Sequence, residues 1–223
     1  MNDRPTIAVI GGTGQEGGGI ALRLAHAGYP IVIGSRDADK ASDAAARLKE
    51  KAGGSVTGAD NHAAVAQAQI VILAVPYQGQ KATALALRDA LQGKILVDAT
   101  VPLVPPKVAR VQLPEGGSAV ALLQAELGAG VRVVSAFQNV SWNHLMDLDH
   151  AIDCDVLVCG DDGEACETVV GLVGAMGMRG LHAGPIANSA AAEALTSLLI
   201  SINRRYKSPG SGIRITGVQA PAA

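Results

Sequence analysis

Aromatic side chains are nearly absent. One Trp, three Tyr and one Phe make up 2% of 223 residues, while 48% of the chain is hydrophobic. The core must therefore be aliphatic, which suits helices packed on a parallel sheet whose strands are covered on both faces. Charge of one sign is lacking too: 18 Lys and Arg meet 20 Asp and Glu, for a net charge of −2 and no long run of either. That argues against a nucleic-acid groove and against a surface held on an anionic membrane. No apolar stretch has the length of a membrane span. The N-terminal Met-Asn-Asp-Arg-Pro lacks the hydrophobic region of a signal peptide. Cys154, Cys159 and Cys166 are odd in number and without C-x-x-C spacing. They exclude a disulfide framework and fit free thiols in a reducing, cytoplasmic setting.

What the chain does have is glycine, concentrated in Ile7-Ala-Val-Ile-Gly-Gly-Thr-Gly-Gln-Glu-Gly17. An apolar run over 6–10 breaks into glycines and re-emerges as a helical pattern over 17–27. Gly12, Gly14 and Gly17 fit G-x-G-x-x-G after a strand and at the opening of a helix, as the dinucleotide fingerprint requires. Gly12 is expected to permit the tight turn, Gly14 to let the backbone approach a pyrophosphate, and Gly17 to let helix and strand pack closely. Free N–H groups at the helix start then face the phosphates. A glycine-rich turn without a ligand is the competing reading, which this placement disfavours.

The end of the second strand, 30–34, bears on cofactor type. A NAD site places Asp or Glu there for the ribose 2′-hydroxyl. This chain has Ser35 and Arg36, with Lys40 a helical turn further on. A hydroxyl, a guanidinium and an ammonium suit a 2′-phosphate, so NADP is favoured over NAD. Asp37 and Asp39 also read as caps of the next helix, and both readings can hold.

Further along, a helix over 41–52, an edge strand over 55–58 and a brief helix from an Asn61 cap to 67 precede an apolar strand over 70–76. A single helix is expected over 77–92, then a strand over 94–98, a proline-rich crossing, a helix over 118–127 and a sixth strand over 132–137. Together they make an α/β fold, a doubly wound parallel sheet. Val75, Pro76 and Tyr77 either flank a nicotinamide ribose or simply join strand to helix. After Phe137 come a polar loop, a strand over 156–159, a helix to about 176 and a short strand over 179–182. A final helix follows, with Leu195, Leu198, Leu199, Ile200 and Ile202 apolar nearly all round. It must be buried, either in this chain or against another copy. The tail from Val218 reads as frayed. His144, Asp147, His150 and Asp153 recur at a three-residue spacing that matches no standard zinc pattern, so a solvated helix or loop is the preferred reading.

Several blocks are similar to the F420H2:NADP oxidoreductase family, the deazaflavin-dependent NADP reductases. They are Ile10-Gly-Gly-Thr-Gly14, Ile33-Gly-Ser-Arg36 with Lys40, Val133-Val-Ser-Ala136 and Val158-Cys-Gly-Asp-Asp162. Ala183-Gly-Pro-Ile-Ala-Asn-Ser189 with Glu193-Ala-Leu-Thr196 completes the set, which spans residues 6 to about 216. The resemblance implies a Rossmann domain over 1–140 and a small C-terminal α+β domain over 141–223 that closes the substrate cleft; the apolar final helix itself leads to the expectation of a homodimer whose interface includes Leu195, Leu198 or Leu199. The resemblance also implies NADP and coenzyme F420 as partners in direct hydride transfer.

The candidate cofactor residues are then Gly12, Thr13, Gly14, Gln15, Glu16 and Gly17 at the turn, and Ser35, Arg36 and Lys40 at the ribose. Val75, Pro76, Thr100, Val101 and Ala136 complete the set at the strand ends. Gln138, Asn139 and Val140 match the family's deazaflavin-facing loop, which often carries His where this chain has Gln138. They position a second ring, or they merely cap the strand and fix a hinge. Other readings are an NADPH reductase of another flavin, metal chelate or small substrate, and an NADP-sensing protein without chemistry.

Overall fold

The computed structural model describes residues 4–218; residues 1–3 and the tail over 219–223 lie outside the described residues. Strand and helix alternate: β1 Ile7–Ile10, α1 Gln15–His26, β2 Ile31–Ser35, α2 Ala38–Ala52, β3 Val56–Asp60, α3 Asn61–Ala66 and β4 Ile70–Leu73. Then come α4 Tyr77–Ala86, α5 Arg88–Leu91, β5 Ile95–Asp98, α6 Ala119–Leu127, β6 Arg132–Ser135 and α7 Trp142–Leu145. The chain ends with β7 Asp155–Gly160, α8 Gly163–Ala175, β8 Arg179–His182 and α9 Ser189–Tyr206. No helix among the described residues is long and apolar enough to cross a membrane.

The strands form one sheet in the order β3-β2-β1-β4-β5-β6-β7-β8. The first six are parallel. Ile7 and Val9 enter a core with α1, α2 and α8, whereas Ala8 and Ile10 enter a second core with α3 to α6. This alternation is the period of two of an extended strand, with helices covering both faces. Each fully buried Val, Leu or Ile contributes about 1.5–3 kcal/mol. The chain winds outward from β1 in both directions, through β2 to β3 and through β4 to β6. The crevice for a ligand therefore opens at the carboxyl ends of β1 and β4.

Beyond β6 the sheet continues. β7 pairs antiparallel to β6 through Val134 with Gly160 and Ser135 with Cys159, and β8 runs parallel to β7. The purely parallel six-strand sheet thus carries a two-strand extension. An apolar run does not encode its own direction.

Local differences from the sequence reading have local causes. The single helix over 77–92 is broken at Leu87, which turns into the core between α4 and α5. Asp60, not Asn61, caps α3 by accepting from Ala63 N at 3.0 Å. β4 stops at Leu73 and β6 at Ser135. Past β6, Phe137 adopts φ 77° with its ring buried, a backbone that bulky residues rarely take. The final helix is not uniformly buried. Glu193, Ser197 and Leu199 face inward, while Leu198 (49% exposed), Ile202 (41%) and Tyr206 (72%) form a stripe facing outward. Leu199 belongs to this chain's own core and is removed from any interface.

Candidate active site

At the fingerprint, the tight turn belongs to Gly11, not Gly12. Gly11 has φ 87°, and a Cβ there would lie 2.3 Å from the Ala74 carbonyl oxygen. Gly12 instead packs against Ile33. At Gly17 a Cβ would sit 2.7 Å from the Gly11 carbonyl oxygen, so only glycine lets the helix start this close to the turn. No side chain caps α1. The first-turn N–H groups of Gln15, Glu16 and Gly17 therefore face outward without helical acceptors, as an anion site requires.

At the end of β2, Arg36 is exposed and the Ser35 hydroxyl accepts from Asp37 N at 3.2 Å. The Asp37 carboxylate accepts from Asp39 N and Lys40 N and lies 3.6 Å from the Lys40 ammonium. These backbone donors, led by Lys40 N, hold its pKa below the ordinary value. Asp37 is thus occupied as the cap of α2, and Arg36 is left without a carboxylate partner among the described residues.

Between these elements and α9 lies a cavity of 670 Å³. It brings together Gly14, Gln15 and Glu16 from the turn, Val75 and Pro76 after β4, Thr100 and Val101 after β5, and Gln138, Asn139 and Val140 after β6. Gly12, Thr13, Gly17, Ser35, Arg36 and Lys40 do not line it, and Ala136 is buried behind it. Phe137, Trp142, Thr196, Leu199 and Asn203 also face the cavity. Sequence reasoning missed them because they come from segments distant along the chain.

The loop after β6 is held in detail. Gln138 Nε2 donates to the Asp98 carbonyl at 2.7 Å. Asn139 Nδ2 donates to the Asp155 carbonyl at 2.7 Å. Since a carbonyl only accepts, each amide must turn its NH₂ inward. Gln138 Oε1 and Asn139 Oδ1 are left buried without partners, as is Thr100 Oγ1. What Gln138 and Asn139 leave open toward the cavity are therefore acceptors. Thr196 Oγ1 donates to the Gln138 carbonyl at 2.6 Å and ties α9 to this loop.

Beneath the site, Asp98 is fully buried, accepts from Gln80 Nε2 at 2.5 Å and Thr100 N at 2.8 Å, and has its pKa raised by burial. Glu193 reaches across from α9 to cap α6, accepting from Ser118 Oγ at 2.6 Å and Ala119 N at 2.8 Å. That is the job of the Asn-Ser…Glu block.

The His144 to Asp153 segment is organised by a residue that sequence reasoning passed over. The Arg23 guanidinium on α1 donates to the carbonyls of His144 (2.7 Å), Leu145 (3.2 Å), Asp147 (2.5 Å) and His150 (2.8 Å). The helix that follows the glycine turn thereby also fixes the loop that brings Ser141, Trp142 and Asn143 to the cavity. The rings of His144 and His150 lie 4.2 Å apart.

A family described as NADP oxidoreductase coenzyme F420-dependent matches residues 6–102. The F420-dependent NADP reductase of Methanocaldococcus jannaschii is 43% identical over 96% of this chain and 99% of its own length. This chain belongs to the F420-dependent NADP reductase family. The relative in Methanothermobacter thermautotrophicus is 42% identical over 95% of both chains. Among solved structures, a putative F420-dependent NADP reductase from Arthrobacter sp. FB24 superposes with a TM-score of 0.78 at 25% identity, covering 94% of this chain and 98% of that one.

Proposed function

We propose that this protein transfers a hydride between NADP(H) and the deazaflavin coenzyme F420. The observation that carries the reading is the cavity of 670 Å³, which runs from the start of α1 to a loop of buried, unpartnered acceptors. The free N–H groups of α1 suit a pyrophosphate, and Ser35, Arg36 and Lys40 suit a 2′-phosphate. The acceptors on Thr100, Gln138 and Asn139 suit the N–H donors of a carboxamide or of a pyrimidine-like ring edge. Bound NADPH supplies the hydride, and F420 takes it up with one proton to give F420H₂ and NADP⁺. The protein needs no nucleophile for this. Its side chains hold two rings in register and keep water out.

The segment over 141–223 acts as the smaller unit that closes the cleft, through Trp142, Asn203 and Ser211. Val140 presses a ring toward C4 of the nicotinamide. Val140→Gly is expected to slow hydride transfer with little loss of NADPH affinity, because it loosens the distance between the rings. Anaerobic stopped-flow single turnovers, followed by the deazaflavin's visible absorbance, measure that step. Unchanged rates in both Val140→Gly and Gln138→Ala, with the fold intact, would place the second substrate elsewhere.

The stripe of Leu198, Ile202 and Tyr206 fits a second copy of the chain, so a homodimer is expected. Light scattering at micromolar concentration should give twice 22.5 kDa, and a monomer would sink that reading. Three buried, unpaired cysteines support a reducing, cytoplasmic location.

A further inference from the structure

Glu16 is an unusual side chain for its place. It sits in the first turn of α1, the turn that offers its N–H groups to an anion. Its side chain lines the cavity, and its Oε1 is enclosed there without a hydrogen-bond partner. No Lys, Arg or His lines this cavity among the described residues. Tyr77 on α4 is the other titratable group in the lining, and neither the loop over 138–143 nor α9 adds one. Arg23, further along α1, spends its guanidinium on four loop carbonyls. His144 on α7 belongs to a separate, smaller cavity.

A carboxylate in this position would have one oxygen enclosed, no cationic partner in the cavity and the diphosphate of a bound dinucleotide close by. Each of those conditions disfavours its charge. In its neutral form the same group offers one O–H donor beside the free N–H groups of the first turn of α1.

We propose that Glu16 is protonated whenever the dinucleotide is bound, that its O–H donates to an oxygen of the cofactor, and that NADP(H) binding therefore takes up a proton. The proposal rests on the NADP(H) reading above and makes Glu16 a positioning residue for it. Burial alone already raises the free protein's Glu16 pKa from 4.5 to about 8. The competent, neutral fraction is then nearly complete at pH 7 and about a tenth at pH 9, and apparent affinity scales with that fraction. The cofactor's 2′-phosphate titrates near pH 6, below this window.

The test is a fluorescence titration of the whole protein with NADPH from pH 7 to pH 9, in wild type and Glu16→Gln. It is paired with calorimetry at pH 9 in two buffers of different ionisation enthalpy. The wild-type Kd is expected to rise about tenfold across the window, with nearly one proton taken up at pH 9. Glu16→Gln keeps a neutral donor and should show neither effect. If that variant does not fold, infrared spectroscopy of the wild type reads the same group. A protonated-carboxyl band should fade near pH 8 in the free protein and persist with NADP⁺ bound. A flat wild-type profile with tight binding would overturn the proton linkage and leave the NADP(H) reading intact. The same slope in Glu16→Gln would assign the proton to another group. Absence of NADPH binding at every pH would overturn the NADP(H) reading itself.

Discussion

Arg36→Ala is expected to weaken NADPH binding by about 10- to 150-fold while leaving NADH nearly unchanged. The loss corresponds to one charge-assisted contact to the 2′-phosphate, roughly 1.5–3 kcal/mol. The structure sharpens the reason. Asp37, the carboxylate next to Arg36 in the chain, is committed to the N–H groups of Asp39 and Lys40. Arg36 carries no such commitment, and its planar fork of donors matches a phosphate. Paired titrations of the variant with NADPH and NADH check this. An equal loss for both cofactors would show that Arg36 serves the fold and not the phosphate.

Asp155→Ala should cost about 2–4 kcal/mol of stability, somewhat below the penalty for breaking a fully buried ion pair because the Arg179 left behind is partly exposed. In a chain of this size that lowers Tm by on the order of 10 °C. Asp155 has no exposure to solvent. Its carboxylate is gripped by the Arg179 guanidinium through Nε at 2.8 Å and through Nη2, and accepts from Ile215 N at 2.6 Å. It thus fastens the returning C-terminal segment, which carries Pro209 and Ser211 to the cavity. The Arg179 contact is the main cause of a pKa held below the ordinary carboxylate value. A group with a depressed folded pKa stabilises the fold above its unfolded pKa, about 4 for Asp, and loses that contribution as pH falls through the folded value. The difference in stability between wild type and Asp155→Ala should therefore be full at neutral pH and shrink below about pH 4. Thermal melts across that range read it directly, and a constant difference would contradict the assignment.

Cofactor class and chemistry were legible in the residues because they depend on neighbours in the chain. A strand, a glycine turn and a helix start are adjacent in sequence, so the turn that carries Gly14, Gln15 and Glu16 into the cavity could be read directly. Ser35, Arg36 and Lys40 stand within two turns of one another, and the same local logic covers the aliphatic strands. The exception inside the motif is instructive. Gly12 satisfies the pattern, yet the turn falls on its neighbour Gly11, where the Ala74 carbonyl just after β4 approaches closely.

The amino-acid sequence by itself determined the order of elements, the two-faced parallel sheet and the glycine turn at the end of β1. Hydrophobic period and turn chemistry are written in consecutive residues. Only the tertiary structure decided the rest. It placed β7 antiparallel to β6, sent Arg23 across 122 positions to the carbonyl of Leu145, and used Glu193 to cap a helix 74 residues earlier. It also turned the amides of Gln138 and Asn139 so that their acceptors were left open. Each of these is a polar bond between distant segments. Such a bond depends on direction and distance in three dimensions, and neither quantity has a signature in residue order.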